Sequence, residues 1–562
     1  MTWTQVYDPF GAWWLSTLVA ALPVIVLLGL LALFRVKPHW AAMAGAATAL
    51  IAASTVFHMP WSLSSASLLY GASFGLLKIA WIVVAAVFLY DISVHTGQFE
   101  IMKHSVAAIT PDRRLQALLV AFCFGAIIEG AAGFGAPVAI AGAFMIGLGF
   151  KPFHAAALNL IANTAPVAWG AIGTPVHTLA AVSGLPESDL NSMIGRILPI
   201  TAIIVPFWLV RAMVGWRETF EVLPAILVVG LSFGATQFVW SNFVDSNLVD
   251  IAGGLVSLVS TVIFLRLWQP RRIWRFDDDP EFEALREDRT TASPANVEQG
   301  SNESNVIRVA RAWMPFAVLT IFVLLWGLPT IKTALNKATT PAFERGGWDF
   351  PIVHLAVTRA APVVAKPEPE KAKFDFNWLS ATGSACFIAA LFAGALLRVR
   401  PLDLAKIFWR TLIRMRFAVL AISFMLGLGF VTRYSGMDAV LGLAFTRTGW
   451  LFPFFGTFLG WLGVALTGSD TSSNALFGGL QRITAEQLNL SPVLMCAANS
   501  AGGVMGKMVD AQSIVVATAA TNQVGNEGLI FRFVLWHSIA LASIVGAIVM
   551  AYAYLFPGLI PF

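Results

Sequence analysis

Charge is what this sequence has little of. Asp, Glu, Lys and Arg make up 12% of its 562 residues, 57% are hydrophobic, and the mean hydropathy is +0.75. A soluble chain of this length cannot cover its surface with so few charges, which leaves a polytopic α-helical membrane protein in contact with the lipid bilayer. Cysteine is scarce as well. Cys123, Cys386 and Cys496 all lie in apolar runs at no metal-ligand spacing, which argues against disulfides and against a zinc site. The sequence lacks HExxH, GxSxG, an Asp-rich metal motif and any Cys/His cluster, so it does not read as an enzyme, and no cofactor or metal is expected. The formal charge of +5 is assigned to basic loops on one side of the membrane, not to a nucleic-acid partner. No basic segment precedes the first hydrophobic run, which reads as a permanent span and not a cleaved signal.

What is there gathers around Gly463-Val-Ala-Leu-Thr-Gly-Ser-Asp-Thr-Ser-Ser-Asn-Ala-Leu-Phe-Gly-Gly-Leu480. Inside a hydrophobic region it packs together Thr467, Ser469, Asp470, Thr471, Ser472, Ser473 and Asn474. Such groups are tolerated at membrane depth only inside protein or beside a watery cavity, and by default they mark a functional site. Flanking glycines point to a helix break that frees backbone groups to meet a solute.

In chain order, spans are expected at 14–34, 41–57 and 72–89, with 99–109 as an amphipathic surface helix. Residues 117–150 are too interrupted for one span. Apolar arms flank Glu129-Gly-Ala-Ala-Gly-Phe-Gly-Ala-Pro137, which reads as a re-entrant hairpin with Glu129 near its tip. Residues 152–186 contain no Asp, Lys, Arg or Glu and read as a span unwound at Asn163-Thr-Ala-Pro166 and Gly170-Ala-Ile-Gly-Thr-Pro175. Ordinary spans follow at 197–210, 222–239 and 248–267, with 241–250 as an external loop. Charged, Ser/Asn-rich residues 269–306 form a cytoplasmic linker. Residues 331–374 form an external polar segment between two further spans, and the N-terminus is placed outside. The expected architecture is a single membrane domain over 1–562, with about 12 spans plus two re-entrant hairpins.

The second half repeats the first. Pro60 pairs with Pro401 at an offset of 341, Glu129-Gly130 with Thr467-Gly468, Asn163-Thr164 with Asn499-Ser500, and Gly170 with Gly506 at 336. The charge count puts Gly97 inside and its counterpart Gly436 outside, so 60–182 and 401–520 are expected to be inverted repeats. Broken helices from two such repeats meet near the midplane in many secondary transporters.

Several motifs are familiar. They are Asp8-Pro, Trp81-Ile-Val-Val-Ala-Ala-Val, Thr96-Gly-Gln-Phe99, Ile109-Thr-Pro-Asp112, Phe124-Gly-Ala-Ile-Ile-Glu-Gly-Ala-Ala-Gly-Phe-Gly-Ala-Pro-Val-Ala-Ile140, Leu466-Thr-Gly-Ser-Asp-Thr-Ser-Ser-Asn-Ala-Leu-Phe477, Gly503-Val-Met-Gly-Lys-Met508 and Gln512-Ser513. Together they resemble the bacterial L-lactate permease family, from the first ten residues to the C-terminus. The resemblance implies an inner-membrane carrier for short 2-hydroxymonocarboxylate anions (L-lactate, D-lactate, glycolate) moving with protons. Paired hairpins and broken helices also look like the broader ion-transporter superfamily. From the residues alone sodium coupling stays open, since Na⁺ can use Ser, Thr and backbone oxygens. A monomer or a homodimer stays open too.

Each candidate has a plainer reading. Glu129 is expected to couple protons, or to be a neutral acid capping a helix. Asp470 is expected to bind substrate or proton, or to N-cap the second arm of its hairpin. Thr467, Ser469, Ser472, Ser473 and Asn474 are candidate substrate contacts and in part caps, and Asn163, Thr164, Asn499, Ser500 and Gln512 are further candidate substrate contacts. Lys507 suits an anionic substrate, or an ion pair with Asp510 three residues on. His177 reads as a packed or helix-end imidazole, and Lys78 as a snorkelling side chain. Gly502, Gly503 and Gly506 read as a close helix approach or as an unwound segment.

Overall fold

The computed structural model describes residues 2–32, 34, 36–107, 109–133, 136–276, 305–339, 348–364, 366–374, 377–521, 523 and 526–561. Most of the expected linker 269–306, residues 340–347 of the expected external segment and residues 134–135 of the first hairpin turn lie outside that set.

Among the described residues, seven helices are long and apolar enough to cross a membrane, or eight if the bent pair Pro152–Ala162 and Val167–Ser183 is one span. Trp13–Leu27 and Thr382–Leu396 are shorter apolar helices. An expectation of about 12 spans therefore leans on helices that fall short by length or composition. The boundaries follow local chemistry. Pro38, Pro152, Pro401 and Pro492 open their helices, where the missing N–H is not needed. Gly184, Gly436 and Gly468 stand just past helix ends in the left-handed conformation that glycine adopts without penalty.

Each half of the chain contains two packed arms followed by a broken helix. In the first half Arg113–Ala117, the π-helical Leu118–Phe124 and Gly125–Ala132 run on as one rod, and Ala136–Gly147 packs back against it. This rod extends past the apolar arm read from sequence, because Arg113 and Arg114 are buried helix residues. Arg114 makes this possible by pairing with Asp112 at 2.8 Å and Glu221 at 3.0 Å, and by donating to the carbonyls of Glu218 and Arg272. Removing one partner of such a buried pair costs about 3–5 kcal/mol. In the second half Phe452–Thr467 packs against Asp470–Gln487, and Pro492–Gly506 packs against both.

Glycine sets the spacing there. A Cβ at Gly502 would run into the Thr457 carbonyl, and one at Gly506 into the Trp461 carbonyl. These glycines therefore bring helix backbones into contact, and the break lies after them, at 507–510.

Among the described residues the regular structure is helical apart from short strands near the N-terminus and in 348–374. Trp3–Thr4 runs parallel to Val357–Arg359, which pairs antiparallel with Glu368–Pro369; Trp348–Asp349 pairs with Lys373–Phe374. The N-terminus and 348–374 thus lie on one face. Beneath them Glu370 bridges Arg359 and Arg433, and Arg433 donates to the carbonyls of Ala181 and Val182.

Candidate functional site

Both halves bring a helix break to one cleft. Its walls come from Glu129, Gly133, Val167, Gly170, Ala171, Thr174 and Pro175 in the first half, and from Gly468, Ser469, Asp470, Thr471 and Lys507 in the second. The space between protein atoms there is about 300 Å³, part of it open to solvent. Thr174 and Thr471 hydroxyls meet across it at 3.3 Å.

The first wall is built around backbone distortion. Ala171, Ile172 and Gly173 all have positive φ, at 45°, 58° and 71°. For the two non-glycine residues this costs about 1–2 kcal/mol each. Gly133 supports the bend by abutting Ala171, and Gly173 fits against the Ser246 carbonyl. Glu129, in the last turn before Gly133, is buried, and one of its carboxyl oxygens has no hydrogen-bond partner. Its other oxygen lies over Gly170, where an added Cβ would stand 2.7 Å away. The polar groups around it include Lys507, Asn163, Asp510 and Asp250.

The second wall is a hydrogen-bonded lattice. Ser500 donates to Asp470 Oδ2 at 2.5 Å and Asn474 donates to the same atom at 3.3 Å. Asn499 donates to Asn474 at 2.9 Å, and Gln481 donates to Asn499 at 3.2 Å and to the Gly456 carbonyl at 2.6 Å. Asp470 Oδ1 has no partner. The N-cap of this arm is Ser469, whose hydroxyl accepts from the Ser472 amide; Asp470 follows it, so the capping reading of Asp470 does not hold. Lys507 Nζ donates to the Gly468 carbonyl at 2.5 Å and lies 3.4 Å from Asp510 Oδ2, so the internal ion pair is formed. Asp510 Oδ1 caps the next helix by accepting from the Ser513 amide at 2.7 Å.

A sequence model described as L-lactate permease matches residues 16–556. The chain belongs to the L-lactate permease family. It is 46% identical to the glycolate permease of Escherichia coli (strain K12) over 100% of both chains, and 45% identical to the L-lactate permease of the same strain, also over 100% of both. Among solved structures, the antimetabolite efflux pump MtrF of Neisseria gonorrhoeae superposes on 86% of this chain and 82% of its own, with 12% identity and a TM-score of 0.42. As a member of the L-lactate permease family with several apolar helices, the chain is a multi-pass membrane transport protein.

Of the residues singled out from sequence, Glu129, Asp470, Ser469 and Lys507 line the cleft of this family member. Asn474, Asn499 and Ser500 stand behind Asp470 and hold it. Thr467, Ser473 and Thr164 turn their hydroxyls onto the carbonyls of Gly463, Gly460 and Ile161. Ser472 is buried beside them and Asn163 faces Glu129. The Gln512 side chain lies outside what the structure describes. His177 sits between Glu187 and Asn247, each at 3.0 Å, and Lys78 lies over the rings of Phe74 and Phe374. Sequence reasoning placed Asp250 in an external loop. It is a buried residue in the first turn of Val249–Leu267. An acid opening an otherwise apolar run was the available signal.

Proposed function

We propose that this chain imports L-lactate and related short 2-hydroxymonocarboxylates (D-lactate, glycolate) in symport with H⁺ across the bacterial inner membrane, through inverted repeats 60–182 and 401–520. The observation that carries this reading is the convergence of Glu129, Asp470 and Lys507, one cation between two acids, on a single cleft lined from both halves. The names of the relatives supply the substrate class.

In this reading Lys507 receives the substrate carboxylate, exchanging the Gly468 carbonyl for a charge-assisted contact. Bringing in an anion beside Glu129 and Asp470 is favourable only if a positive charge enters too. A proton on Glu129 supplies it, which makes uptake of the two obligatory partners. The hydroxyls of Ser469 and Thr471 suit the 2-hydroxyl of the substrate.

Sodium coupling is the second reading. It is favoured by the unpartnered Asp470 Oδ1 and by Ser469 and Thr471 in the lining of the same cleft, oxygen ligands that suit a hard cation. One experiment separates the two. Purified protein in proteoliposomes is given labelled L-lactate under an imposed pH gradient or an imposed sodium gradient. Accumulation driven by the pH gradient alone is expected; accumulation that needs sodium would replace the proton.

A further inference from the structure

Asp250 has no exposed surface, and neither of its carboxyl oxygens has a hydrogen-bond partner. Other buried acids of this protein find donors: Asp112 takes the Arg114 amide and guanidinium, Asp470 takes Ser500, and Asp510 takes the Ser513 amide. Asp250 stands in a first helical turn, where free amides are at hand, and takes none. An ionised carboxylate sealed without donors is among the costliest states for a side chain. A carboxyl that carries a proton for part of a cycle escapes that cost.

Its neighbours say where the proton would go. The helix Val249–Leu267 packs against Gly125–Ala132, which carries Glu129. They approach at Gly130, where an added Cβ would lie 3.0 Å from the Asp250 Cβ. Among the described residues Glu129 is the charged group that faces Asp250. The Gln237 amide on Leu223–Phe243 and the Trp169 backbone are its other polar neighbours, and neither reaches hydrogen-bonding geometry. Just before Val249–Leu267 the chain runs through the polar loop 244–248, where Asp245 accepts from the Asn247 and Leu248 amides and Ser246 donates to Glu187. This loop is the one expected on the outer face.

We propose that Asp250 is a proton-holding station beside Glu129, between it and the 244–248 loop. It takes a proton arriving from the loop and hands it to Glu129. The O–H bond on Asp250 breaks, one forms on Glu129, and Asp250 is left as the carboxylate until the next proton arrives. This inference rests on the proton-symport reading above.

The test uses full-length protein in proteoliposomes and two readouts: labelled L-lactate accumulation under an imposed pH gradient, and counterflow at equal pH. Wild-type protein that ignores the pH gradient removes the symport reading itself, and the station with it. With wild type driven, Asp250→Asn is expected to slow accumulation about tenfold while counterflow changes less than about threefold. Asp250→Glu, which restores an acid, is expected to recover most of the rate. Accumulation at the wild-type rate in Asp250→Asn overturns the proposal. Equal loss of both readouts in both variants also overturns it, because that is the signature of a packing residue. If Asp250→Asn fails to assemble, the pH profile of Asp250→Glu decides: a displaced profile supports the station and a superimposable one rejects it.

Discussion

Each half lines the cleft with an acid, and the two acids are held in opposite ways. Asp470 is pinned through one oxygen by Ser500 and Asn474, with Asn499 and Gln481 behind them. Glu129 is followed by Gly130, Ala131, Ala132 and Gly133, a stretch of sequence without side-chain donors, and one of its oxygens is unpartnered although Asn163 and Lys507 face it. The strain is divided the other way. Three consecutive positive-φ residues stand beside Glu129, whereas Gly468 alone bends the backbone beside Asp470. A carboxyl in a lattice is suited to staying put, and one over a strained, glycine-lined bend is suited to changing partners.

Lys507 belongs to neither pattern alone, since it faces both acids, and its loss should have the largest effect. Lys507→Ala is expected to raise the apparent KM for L-lactate about a hundredfold or to abolish transport, a few kcal/mol of charge-assisted contact. Uptake kinetics with and without a gradient would show it, and a KM within about threefold of wild type would return Lys507 to a purely internal pairing.

Next comes Glu129→Gln, which imitates a permanently protonated carboxyl. Gradient-driven accumulation should fall at least about tenfold with counterflow surviving. Normal accumulation in this variant would transfer the coupling role to Asp470 and reverse the contrast between the halves.

A matched pair of glycines sharpens the comparison. A Cβ at Gly503 would collide with Asp470 Oδ1 and come within 2.9 Å of Val464, and neither neighbour is free to yield. Gly503→Ala is expected to destabilise the protein by about 1–3 kcal/mol, seen as a lower thermal midpoint in detergent. Gly170→Ala meets the end of the Glu129 side chain instead, so it should fold with a near-normal midpoint and change transport several-fold by displacing that carboxyl. Equal destabilisation of the two variants would contradict a loosely held Glu129.

The smallest effect concerns Glu370, which lies outside the membrane spans and ties 348–374 to both halves. Burial pushes its carboxyl up, but Arg433 and Arg359 outweigh burial and hold it below its usual range. Its stabilisation is therefore present at neutral pH and is lost as pH falls from the ordinary carboxylate value, near 4.3, through the lowered one. Glu370→Gln should lower stability at pH 7 and flatten the acid limb of a stability–pH curve. A variant whose acid limb matches wild type would remove Glu370 from the clamp.

The break at 507–510 was decided by the fold, whereas sequence alone determined the membrane class, the helix breaks near Gly133, at 163–175 and at Gly468, and the choice of Glu129, Asp470 and Lys507 as candidates. Those features are written in hydropathy and in glycines at local breaks, so they need no knowledge of the fold. It could not decide that Lys507 rests on Gly468 and Asp510, that Asn499 and Ser500 buttress Asp470 without lining the cleft, or that Arg113 and Arg114 are buried. It read Asp250 as a loop aspartate because one charge beside an apolar run fits either side of a boundary. Only tertiary packing decides such cases, because the partner of a buried polar group is chosen by which helices touch. Some of those contacts join residues far apart in sequence, as between Gly130 and Asp250 or, at 297 positions, Thr174 and Thr471.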